Sequence, residues 1–487
     1  MIVEQPGQRG RRIVYHRRMP TEILDQRLEA IAERKRFTAA QLRRFGRYVR
    51  EAPDEALLHV NPLRFAIEQG MDERDAVDLF VHAAHAGVFD LLWGIVCEHC
   101  AGYLTTAGGI RSIGRSRSCG LCAADVHGSM DDSVEVTFTV SPATRRIRFH
   151  ALRAPSREDV MRVYFSPSVT LSSEFRRWID TSWLGVRRVA GGSKTSFALE
   201  LPPGDYAVIT NENHTRMSIR VGASGGRTVE VDLLEARFVP AAANARAGRI
   251  VVRVTNRDSA AASLVFARLP GDDDLNGKDP FYSIGPFLTG KRLLSTQSYR
   301  ELFRGETPGR GASLAIRSLC FLFTDLKSST ALYERVGDIK ALAMVRDHFG
   351  ILRDRVSANG GAVVKTIGDA VMATFDEPRA GMAAALQMNA ALRSKTRTRE
   401  LSVKVGLHVG SCVAIDSNDR LDYFGQTVNI AARVQALADG GEVVCTDAVW
   451  NAPGTRTRPG GSPLRGRREL ARLKGVAGNV PVTRIRA

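Results

Sequence analysis

Residues 319–338 read LCFLFTDLKSSTALYERVGD, and this stretch decides the fold of the C-terminal third of the chain. Its apolar run predicts a buried strand that ends at Asp325. The Ser/Thr-rich turn KSST follows, and the residues after the turn are predicted to be helical. Backbone N–H groups and hydroxyls at the start of a helix stabilise phosphate. The stretch therefore predicts a strand, a phosphate-binding turn and a helix.

A second acidic turn follows in the sequence KTIGDAVMATF, residues 365–375. This segment predicts two short strands that meet at Gly368 and Asp369. Carboxylates at strand ends near a turn are well placed to share a divalent metal ion. Either aspartate alone could be an N-cap or a turn residue. Two of them in this setting, followed by LDYFGQTVNIAARV at residues 421–434, indicate a chemical function.

These three stretches resemble, in order and spacing, the catalytic domain of the class III nucleotide cyclases. The resemblance covers the last third of the chain, with the domain assigned to residues 317–487. It implies a ferredoxin-like βαββαβ fold and an active site that forms where two such domains meet. Because the chain contains one such domain, the resemblance also implies a homodimer with two equivalent active sites at the interface.

The resemblance implies metal-binding roles for the two acidic turns. Asp325 and Asp369 match the family's metal-binding aspartates and would hold two Mg²⁺ or Mn²⁺ ions per active site. The backbone carbonyl of Leu326 would complete one coordination sphere. Such ions help to deprotonate the ribose 3′-hydroxyl and neutralise charge on the triphosphate. Ser329 and Thr330 of the turn would bind the substrate phosphates.

Further matches concern the nucleotide itself. Asn429 and Arg433 lie four residues apart on one face of a helix, and they match the residues that orient the ribose and stabilise the transition state at the α-phosphate. Lys365 and Asp422 match the pair that selects the base. Lys474 lies where the family often has a cation for the leaving pyrophosphate.

The base-selecting pair has a chemical logic. Adenine presents an acceptor at N1 and donors at its 6-amino group, which complement a lysine and an aspartate. Guanine reverses both groups, and each buried mismatch costs about 1–3 kcal/mol. Guanylate cyclases of the family usually carry Glu at the position of Lys365. The sequence therefore predicts an adenylate cyclase that converts ATP to cyclic AMP and pyrophosphate; the alternatives are a guanylate cyclase or a catalytically weak cyclase-like signalling module.

Two local features refine this prediction. The family commonly has Gly in the turn after the first aspartate, where this chain has Ser328. Glycine lets the backbone approach phosphate closely, so the serine bears on the rate. A diguanylate cyclase of the GGDEF type is rejected because Gly360 and Gly361 are followed by AVV and not by acidic residues.

Four cysteines form two CxxC knuckles, with Cys97 and Cys100 in the first and Cys119 and Cys122 in the second. The 18 residues between the knuckles are the spacing of a zinc ribbon, in which four thiolates close a tetrahedral site around a structural Zn²⁺. His99 could substitute for a ligand, although four thiolates suffice. The three other cysteines, at positions 320, 412 and 445, lie in apolar runs and are predicted to be buried small hydrophobes.

The chain has an excess of basic residues, with a net charge of +17, and residues 1–50 carry 13 Lys or Arg against 5 Asp or Glu. Such an excess could attract nucleic acid or an anionic membrane. A coding bias that favours arginine on solvated faces is the simpler explanation. A redox switch at the cysteines, or a ribbon that grips nucleic acid through Arg111, Arg115 and Arg117, are the functional alternatives to a structural zinc. The filled active site argues against a zinc-ribbon nucleic-acid-binding protein.

The remaining chain is divided by its patterning into a basic helical lead-in (1–54), a helical unit with the zinc ribbon (55–128), a regulatory β-sandwich (130–270) and a linker with a short helix (271–316). In the second segment, NPLRFAIEQG at 61–70 predicts a helix that starts at Asn-Pro and ends at glycine. The third contains short alternating runs, from VEVTFTV, RIRFHAL and SVTLSS to SLVFARL, which predict an antiparallel sandwich of immunoglobulin type. The fold class is therefore α+β.

Targeting signals and membrane spans are not expected from the sequence. No stretch of about 18 uncharged apolar residues occurs, and the start of the chain lacks the apolar core of a secretory signal. The cysteine usage favours a reduced compartment. The sequence therefore predicts a cytoplasmic protein.

Overall fold

The computed structural model describes residues 21–113, 116–119, 124–127, 129–152, 154–212, 214–269, 282–309, 313–396, 398, 400–458 and 460–486. The chain divides into two compact units. Unit one consists of Met1–Gly108, Ser116–His127 and Glu135–Phe287, and unit two of Gly109–Arg115, Gly128–Val134 and Leu288–Ala487. Residues 1–20 of the predicted lead-in and 270–281 around the start of the predicted linker lie outside the described residues.

Unit one opens with helices whose ends follow the sequence signals. Thr38 and Gln41 form a capping box. Asn61 caps the next helix, Pro62 opens it, and Gly70, with a φ of +60°, ends it, which confirms the prediction from NPLRFAIEQG. In its described part the unit has the α-helices α1 (Thr21–Ala32), α2 (Ala39–Glu51), α3 (Pro62–Gln69), α4 (Glu73–His85), α5 (Arg157–Tyr164) and α6 (Ser173–Ser182).

A small sheet and a cluster of aromatic rings hold the helical part of unit one together. Phe80 of α4 contacts Phe45 edge-on at 5.4 Å between ring centroids and Phe138 at 5.2 Å. The first strands of the unit are β1 (Phe89–Val96), β2 (Tyr103–Ala107), β3 (Ser116–Cys119), β4 (Ala124–His127) and β5 (Val134–Val140). They form a three-stranded sheet of order β2-β1-β5 and the hairpin β3-β4, so the cysteine knuckles adjoin the end of β1 and the end of β3.

The rest of unit one contains two sheets that share a core. A five-stranded sheet has the order β13-β10-β9-β15-β7, and a four-stranded sheet has the order β12-β11-β14-β8. Phe197 and Val252 from one sheet and Val208, Ile219 and Phe266 from the other belong to a single buried cluster. The strands of these two sheets are β7 (Trp183–Val189), β8 (Lys194–Leu201), β9 (Gly204–Thr210), β10 (Thr215–Gly222), β11 (Thr228–Leu234), β12 (Arg237–Val239), β13 (Ala242–Arg246), β14 (Gly248–Asn256) and β15 (Ala262–Arg268). The short strands β6 (Val169–Leu171) and β16 (Tyr282–Ile284) pair with each other in a separate two-stranded sheet.

The sandwich differs from its prediction in four respects. The run SVTLSS contains β6, which pairs with β16 in a separate two-stranded sheet. The pairs β10–β13 and β11–β14 are parallel, so the sheets are not wholly antiparallel. The run VEVTFTV is β5, buried along its whole length in the sheet with β1. The run RIRFHAL contains a 3₁₀ helix, because Arg148 pairs with Glu55 and Asp159 and His150 bonds to the carbonyl of Val140. The alternation of apolar and polar residues along a segment does not reveal contacts with residues that are distant in the sequence.

Unit two has the predicted ferredoxin-like core. The segment from β17 to β20 has the order strand, helices, two strands, helix, strand, and its strands lie side by side as β18-β19-β17-β20, with each neighbouring pair antiparallel. The elements are α7 (Gly290–Leu294), α8 (Gln297–Leu302), β17 (Leu314–Leu326), α9 (Ser329–Val336), α10 (Asp338–Ala358), β18 (Gly361–Ile367), β19 (Ala370–Phe375), α11 (Pro378–Arg393), β20 (Val403–Asp416), β21 (Leu421–Phe424), α12 (Gln426–Ala436), β22 (Glu442–Thr446), α13 (Asp447–Trp450), β23 (Arg467–Arg472) and β24 (Asn479–Arg486).

Helix α12 lies directly on β20 because two glycines of that strand leave room for it. A Cβ on Gly406 would lie 2.2 Å from the backbone nitrogen of Gln435, and one on Gly410 would lie 2.8 Å from Thr427 Oγ1. Any larger side chain would push the helix away from the sheet. This close packing fixes the height of α12 above the sheet.

The start of β17 is held by the short segment 128–134, which belongs to the same unit. Asp131 Oδ2 accepts a hydrogen bond of 2.6 Å from the backbone nitrogen of Arg317, at the point where the pairing of β17 with β20 shifts. Lys291 lies between Asp131 and Asp376, at 3.2 and 2.9 Å. Charged side chains therefore fasten this segment to the sheet of unit two. Among the described helices of the chain, none has the length and apolar character needed to cross a bilayer.

Candidate active site

The first predicted metal ligand lies at the end of the central strand β17. The Asp325 side chain is 36% exposed, and its Oδ2 lies 3.5 Å from Nζ of Lys404, which is directly opposite on β20. Leu326, whose carbonyl is the predicted further ligand, has a buried side chain. Sequence reasoning missed Lys404, because its only signal is the register of two strands separated by almost 80 residues.

The second predicted ligand follows a glycine turn on the neighbouring strand. Gly368 has a φ of +63°, the left-handed region that favours glycine. Strand β17 pairs with β19, with Phe323 opposite Met372. Continuing this register by two residues puts Asp325 opposite Ala370, next to Asp369. The fold thus brings the two predicted carboxylates to one end of two adjacent strands.

The carboxylate of Asp369 has an unsatisfied oxygen. Its Oδ2 is buried and has no hydrogen-bond partner within the described part of the chain. Nearby, burial lowers the pKa of His348 to about 4, against the opposing effect of Asp369, so this imidazole is neutral at pH 7 and supplies no positive charge. A buried carboxylate oxygen without a partner suits a hard divalent cation. The two aspartates therefore fit the Mg²⁺ or Mn²⁺ ions predicted for this position.

The turn between Asp325 and α9 has an unusual backbone. Ser328 adopts a φ of +55°, a left-handed conformation that costs L-residues roughly 1–2 kcal/mol relative to glycine. Helix α9 follows as predicted but begins at Ser329, so that it includes the last two residues of the predicted KSST turn. Thr330 follows in the same helical turn, and its side chain lies outside the described atoms. The serine thus occupies a position whose geometry matches the glycine that the family commonly has there.

The predicted base-selecting residues form a direct ion pair. Lys365 of β18 and Asp422 of β21 lie 2.5 Å apart, from Nζ to Oδ2. The lysine side chain is 43% exposed, whereas the aspartate side chain is 15% exposed. Oδ1 of Asp422 accepts a hydrogen bond of 2.9 Å from the backbone nitrogen of Tyr423, which fixes the orientation of the carboxylate. The lysine donor and the carboxylate acceptor that are predicted to select the base therefore lie side by side in one chain.

Asn429 and Arg433 lie on α12, at a different place from the carboxylates. Asn429 is exposed and Arg433 is half-buried. The guanidinium of Arg433 lies over Gly475, where a Cβ would be 3.4 Å from both terminal nitrogens, and the neighbouring Lys474 is exposed. Within the described ranges no hydrogen bond or ion pair joins these cations to Asp325 or Asp369. The predicted set thus falls into a carboxylate group at the ends of β17 and β19 and a separate group on α12 and at Lys474.

The short helix α8 of the predicted linker contacts both strands that carry the predicted base-selecting pair. Gln297 Oε1 accepts a hydrogen bond of 2.8 Å from the backbone nitrogen of Val363 on β18. Arg300 donates to the carbonyl of Leu421 on β21 at 2.6 Å, and its guanidinium lies 5.6 Å from the ring centre of Tyr423. Sequence reasoning missed both residues, because only the tertiary fold brings them next to β18 and β21.

The cysteine cluster lies in unit one. The sulfurs of Cys97, Cys100 and Cys119 lie within 4.8 Å of one another. Cys122, the fourth predicted ligand, lies outside the described residues, and His99 is exposed. In a tetrahedral site with Zn–S bonds of 2.3 Å, neighbouring sulfurs are roughly 3.8 Å apart. The sulfurs of Cys100 and Cys119 are 3.8 Å apart, so the described thiols fit zinc.

The other predicted cysteine and arginine sites have clear outcomes. Cys320, Cys412 and Cys445 are buried, as predicted. Burial raises the pKa of Cys412 and of Cys445 to about 12, so both are protonated thiols at pH 7. Arg111 donates to the carbonyl of Gly305 within unit two. Arg115 and the side chain of Arg117 lie outside the described atoms.

Two family profiles match the chain. One is a family of unknown function, DUF5939, which matches residues 25–301 and so more than half of the chain. The other is described as the adenylate and guanylate cyclase catalytic domain and matches residues 313–469. The boundary between the two matches falls between α8 and β17.

Several curated proteins are similar to the C-terminal part. An adenylate cyclase of Mycosarcoma maydis is 30% identical over 194 residues, which are 34% of this chain and 8% of that protein. An adenylate cyclase of Schizosaccharomyces pombe is 34% identical over 154 residues, 27% of this chain and 9% of that protein. An uncharacterised protein of Mycobacterium tuberculosis is 35% identical over 122 residues, 25% of this chain and 31% of that protein. The chain thus spans less than a tenth of the fungal relatives.

Solved structures are similar over the same part. The adenylyl cyclase CyaB from P. aeruginosa is 19% identical and covers 36% of this chain and 95% of its own, with a TM-score of 0.32. An adenylate/guanylate cyclase/hydrolase from Silicibacter pomeroyi is 24% identical and covers 36% of this chain and 99% of its own, with a TM-score of 0.31.

Proposed function

Because the chain belongs to the DUF5939 family of unknown function and carries a class III nucleotide cyclase catalytic domain, we propose that it is an adenylate cyclase that converts ATP to cyclic AMP and pyrophosphate. The observation that carries this proposal is the pairing of Lys365 with Asp422 at 2.5 Å. A group that only donates beside one that only accepts complements N1 and the 6-amino group of adenine. Guanine would meet both groups with the wrong partner.

The reaction is an attack of the ribose 3′-hydroxyl on the α-phosphate, with pyrophosphate as the leaving group. Asp325 and Asp369 would hold two divalent ions, which supply positive charge that lowers the pKa of the hydroxyl and neutralises the triphosphate. Asn429 orients the ribose, and Arg433 stabilises the negative charge that develops at the α-phosphate. Ser329, Thr330 and Lys474 bind the phosphates of the substrate and product.

The active species is a homodimer. Among the described residues of one chain, no hydrogen bond or ion pair joins the carboxylates to Arg433 of α12, although the chemistry needs both groups on one nucleotide. Two chains that exchange these groups across an interface would form two equivalent sites. Chains with Asp325→Ala and Arg433→Ala should each be inactive, and mixing them should restore part of the activity. Mixed dimers without any activity would overturn the shared site.

Base selection is tested with purified full-length protein, ATP or GTP, and Mg²⁺ or Mn²⁺, with the cyclic product identified by mass. ATP should be strongly preferred. Lys365→Glu should lower kcat/KM for ATP by roughly 100-fold, because one partner is lost and a like charge faces Asp422. Lys340→Glu makes the same charge change on the exposed surface of α10 and should leave kcat/KM within twofold. A preference for GTP, or no cyclic product from either nucleotide, contradicts the proposal.

Unit one serves as the input module of this cyclase, held together by a structural Zn²⁺ at Cys97, Cys100, Cys119 and Cys122. The protonated, buried thiols of unit two suit a reducing, cytoplasmic compartment. Comparing the full chain with a fragment that starts near residue 310, with and without zinc chelation, tests the regulatory role. Equal turnover in all four samples would show that unit one does not control the catalytic unit.

A further inference from the structure

One imidazole lies against the cysteine cluster and comes from a distant part of unit one. His214, in the turn between β9 and β10, is 3% exposed, and its Nδ1 lies 3.5 Å from Cys119 Sγ. Its other nitrogen, Nε2, is buried and has no hydrogen-bond partner among the atoms described. The sequence offers no signal for this contact, since His214 is 95 residues from Cys119 and outside both knuckles.

The local backbone is shaped to bring the ring to the sulfur. His214 has a φ of +44°, a left-handed conformation that is uncommon for residues other than glycine. On the other side, Gly102 gives the ring its space: a Cβ there would lie 2.6 Å from His214 Cε1 and 3.5 Å from Cys100 Sγ. An alanine at position 102 would displace the imidazole from the cluster. The left-handed backbone of His214 and the missing side chain of Gly102 therefore both permit this contact.

The distance suits a hydrogen bond from an imidazole N–H to a sulfur. A thiolate bound to a metal carries negative charge and accepts such bonds from its surroundings. Partners of this kind hold the ligand in place, and their removal typically weakens metal binding by about 10–100-fold. In this chain the donor would belong to the sandwich and the acceptor to the cysteine ribbon.

We propose that His214 is the outer partner of the zinc site: its Nδ1–H donates to the Cys119 thiolate when the metal is bound and so ties the cysteine ribbon to the β9–β10 turn. This inference rests on the proposed zinc site. The sulfurs remain the ligands, and His214 is a positioning residue. Loss of zinc and loosening of the β9–β10 turn would then be coupled.

The test uses the full-length protein, with zinc affinity measured by competition against a chromophoric chelator and with Co²⁺ as a spectroscopic probe. His214→Ala should weaken metal binding by roughly 10–100-fold and should keep the sulfur-to-cobalt charge-transfer band at its original intensity. The matched control is His85→Ala, which removes an exposed imidazole on α4, outside both knuckles, and should leave the affinity within twofold. Circular dichroism at saturating zinc checks that the variants fold.

The outcomes separate the alternatives. Unchanged affinity in His214→Ala means that the ring only packs, and overturns the proposal. A change in the cobalt ligand-field bands, with a water replacing nitrogen, makes His214 a direct ligand and also overturns it. Wild-type protein that binds neither Zn²⁺ nor Co²⁺ removes the zinc site itself, a failure that is distinct from that of His214.

A second inference concerns helix α8 and rests on the proposed base selection. Gln297 and Arg300 are three residues apart and so share one helical face. Their partners flank the selecting residues, since Val363 is two residues before Lys365 on β18, and Leu421 and Tyr423 lie on either side of Asp422. A shift of α8 would therefore move both strands.

We infer that Arg300 positions the base-selecting pair and that α8 links its geometry to the segment that precedes the catalytic domain. Arg300→Ala should raise KM for ATP and lower the ratio of kcat/KM for ATP to that for GTP by roughly tenfold. Arg300→Lys should recover part of the ratio, because it retains one donor for the Leu421 carbonyl. Arg393→Ala, which removes an exposed arginine on α11, is the control and should change neither value.

The ratio is the deciding measurement. An equal loss with ATP and GTP would mean that Arg300 only stabilises the fold, and would overturn the inference. A wild-type enzyme without preference for ATP would instead contradict the proposed function, before the role of Arg300 is reached.

Discussion

The cysteine cluster of unit one and the carboxylate pair of unit two are the two proposed cation sites, and their candidate ligands differ in chemistry and in exposure. The sulfurs of Cys97, Cys100 and Cys119 lie within 4.8 Å of one another, and Cys97 and Cys119 are buried. The carboxylates lie at strand ends, where the Asp325 side chain is 36% exposed and Lys404 stands 3.5 Å away. Soft, enclosed ligands suit a permanent Zn²⁺, whereas hard, open ligands suit ions that arrive with the nucleotide.

This difference teaches that the two metals should be separable by experiment. Removing the carboxylate ions should stop chemistry and leave the fold, since strands β17 and β19 are held by the buried sheet. Removing the zinc should weaken the fold of unit one and leave the carboxylates untouched. The following predictions are arranged from the largest expected effect to the smallest.

The largest effect is expected from Asp369→Asn, which keeps the shape of the side chain and removes its charge. Cyclic AMP formation should fall by at least about 1,000-fold, because the metal contributes several kcal/mol to the transition state. Zinc content and thermal midpoint should stay as in the wild type. An enzyme that keeps more than a tenth of its activity would show that Asp369 is not a metal ligand.

The cysteine site should respond in the opposite way. Cys97→Ser should abolish zinc retention and lower the melting temperature of unit one by roughly 10 °C, since a bound structural metal contributes directly to folding. Cys412→Ser, which alters a buried cysteine of unit two, should retain zinc and serves as the control. Full zinc content in Cys97→Ser, measured by atomic absorption, would contradict the four-cysteine site.

Acid should distinguish the units through their buried histidines. Burial lowers the pKa of His59 in unit one and of His408 in unit two to about 4, from the usual 6.5. Because the unfolded chain takes up these protons more readily, the unfolding free energy should be highest above pH 6.5. It should fall by up to roughly 3 kcal/mol per histidine as the pH drops towards 4. Unit two contains a second such histidine, His348, whereas in unit one protons also compete with zinc for the thiolates.

The histidine effect can be isolated in unit two. His408→Asn keeps a group that can bond to Thr446, whose hydroxyl lies 2.8 Å from His408 Nδ1, and removes the titration. Denaturant unfolding followed between pH 7 and 4 should then show a flatter dependence for this unit. An unchanged slope would mean that other groups control its acid stability.

The smallest effect is expected at the turn before α9. Ser328→Gly should raise the stability of unit two by up to about 1 kcal/mol, because glycine adopts a φ of +55° without strain. Turnover should change by no more than a few-fold. Ser329→Gly, one residue later and at the start of the helix, should instead lower stability. Equal effects at both positions would show that the left-handed backbone of Ser328 is not the cause.

The catalytic unit was predictable because its information is local. Asp325, Asp369 and Asp422 each stand in a short motif in which a strand, a turn or a helix is defined by adjacent residues. The order β18-β19-β17-β20 then follows from the βαββαβ pattern. The left-handed φ of Ser328 was not predicted, although the family commonly has glycine at this position.

The remaining features depend on contacts between distant residues. Lys404 reaches Asp325 through strand register, Arg300 reaches Tyr423 through tertiary packing, and His214 reaches Cys119 across 95 residues. The prediction of a wholly antiparallel sandwich was wrong for the same reason. Alternation of apolar and polar residues indicates which residues are buried, but not which strand lies next to which.

The ion pair of Lys365 with Asp422 also affects how readily a nucleotide base can bind at this position in the proposed cyclase. Each charge already has its partner at 2.5 Å, so a nucleotide must replace both partners in the same step. A base that bonds to only one of these two side chains leaves the other without a partner. The Asp422 side chain is only 15% exposed, so water cannot fully replace its lost ion pair. In the proposed cyclase, the Lys365–Asp422 ion pair therefore competes with the base for the same two side chains. The pair disfavours most strongly a base that can bond to only one of them.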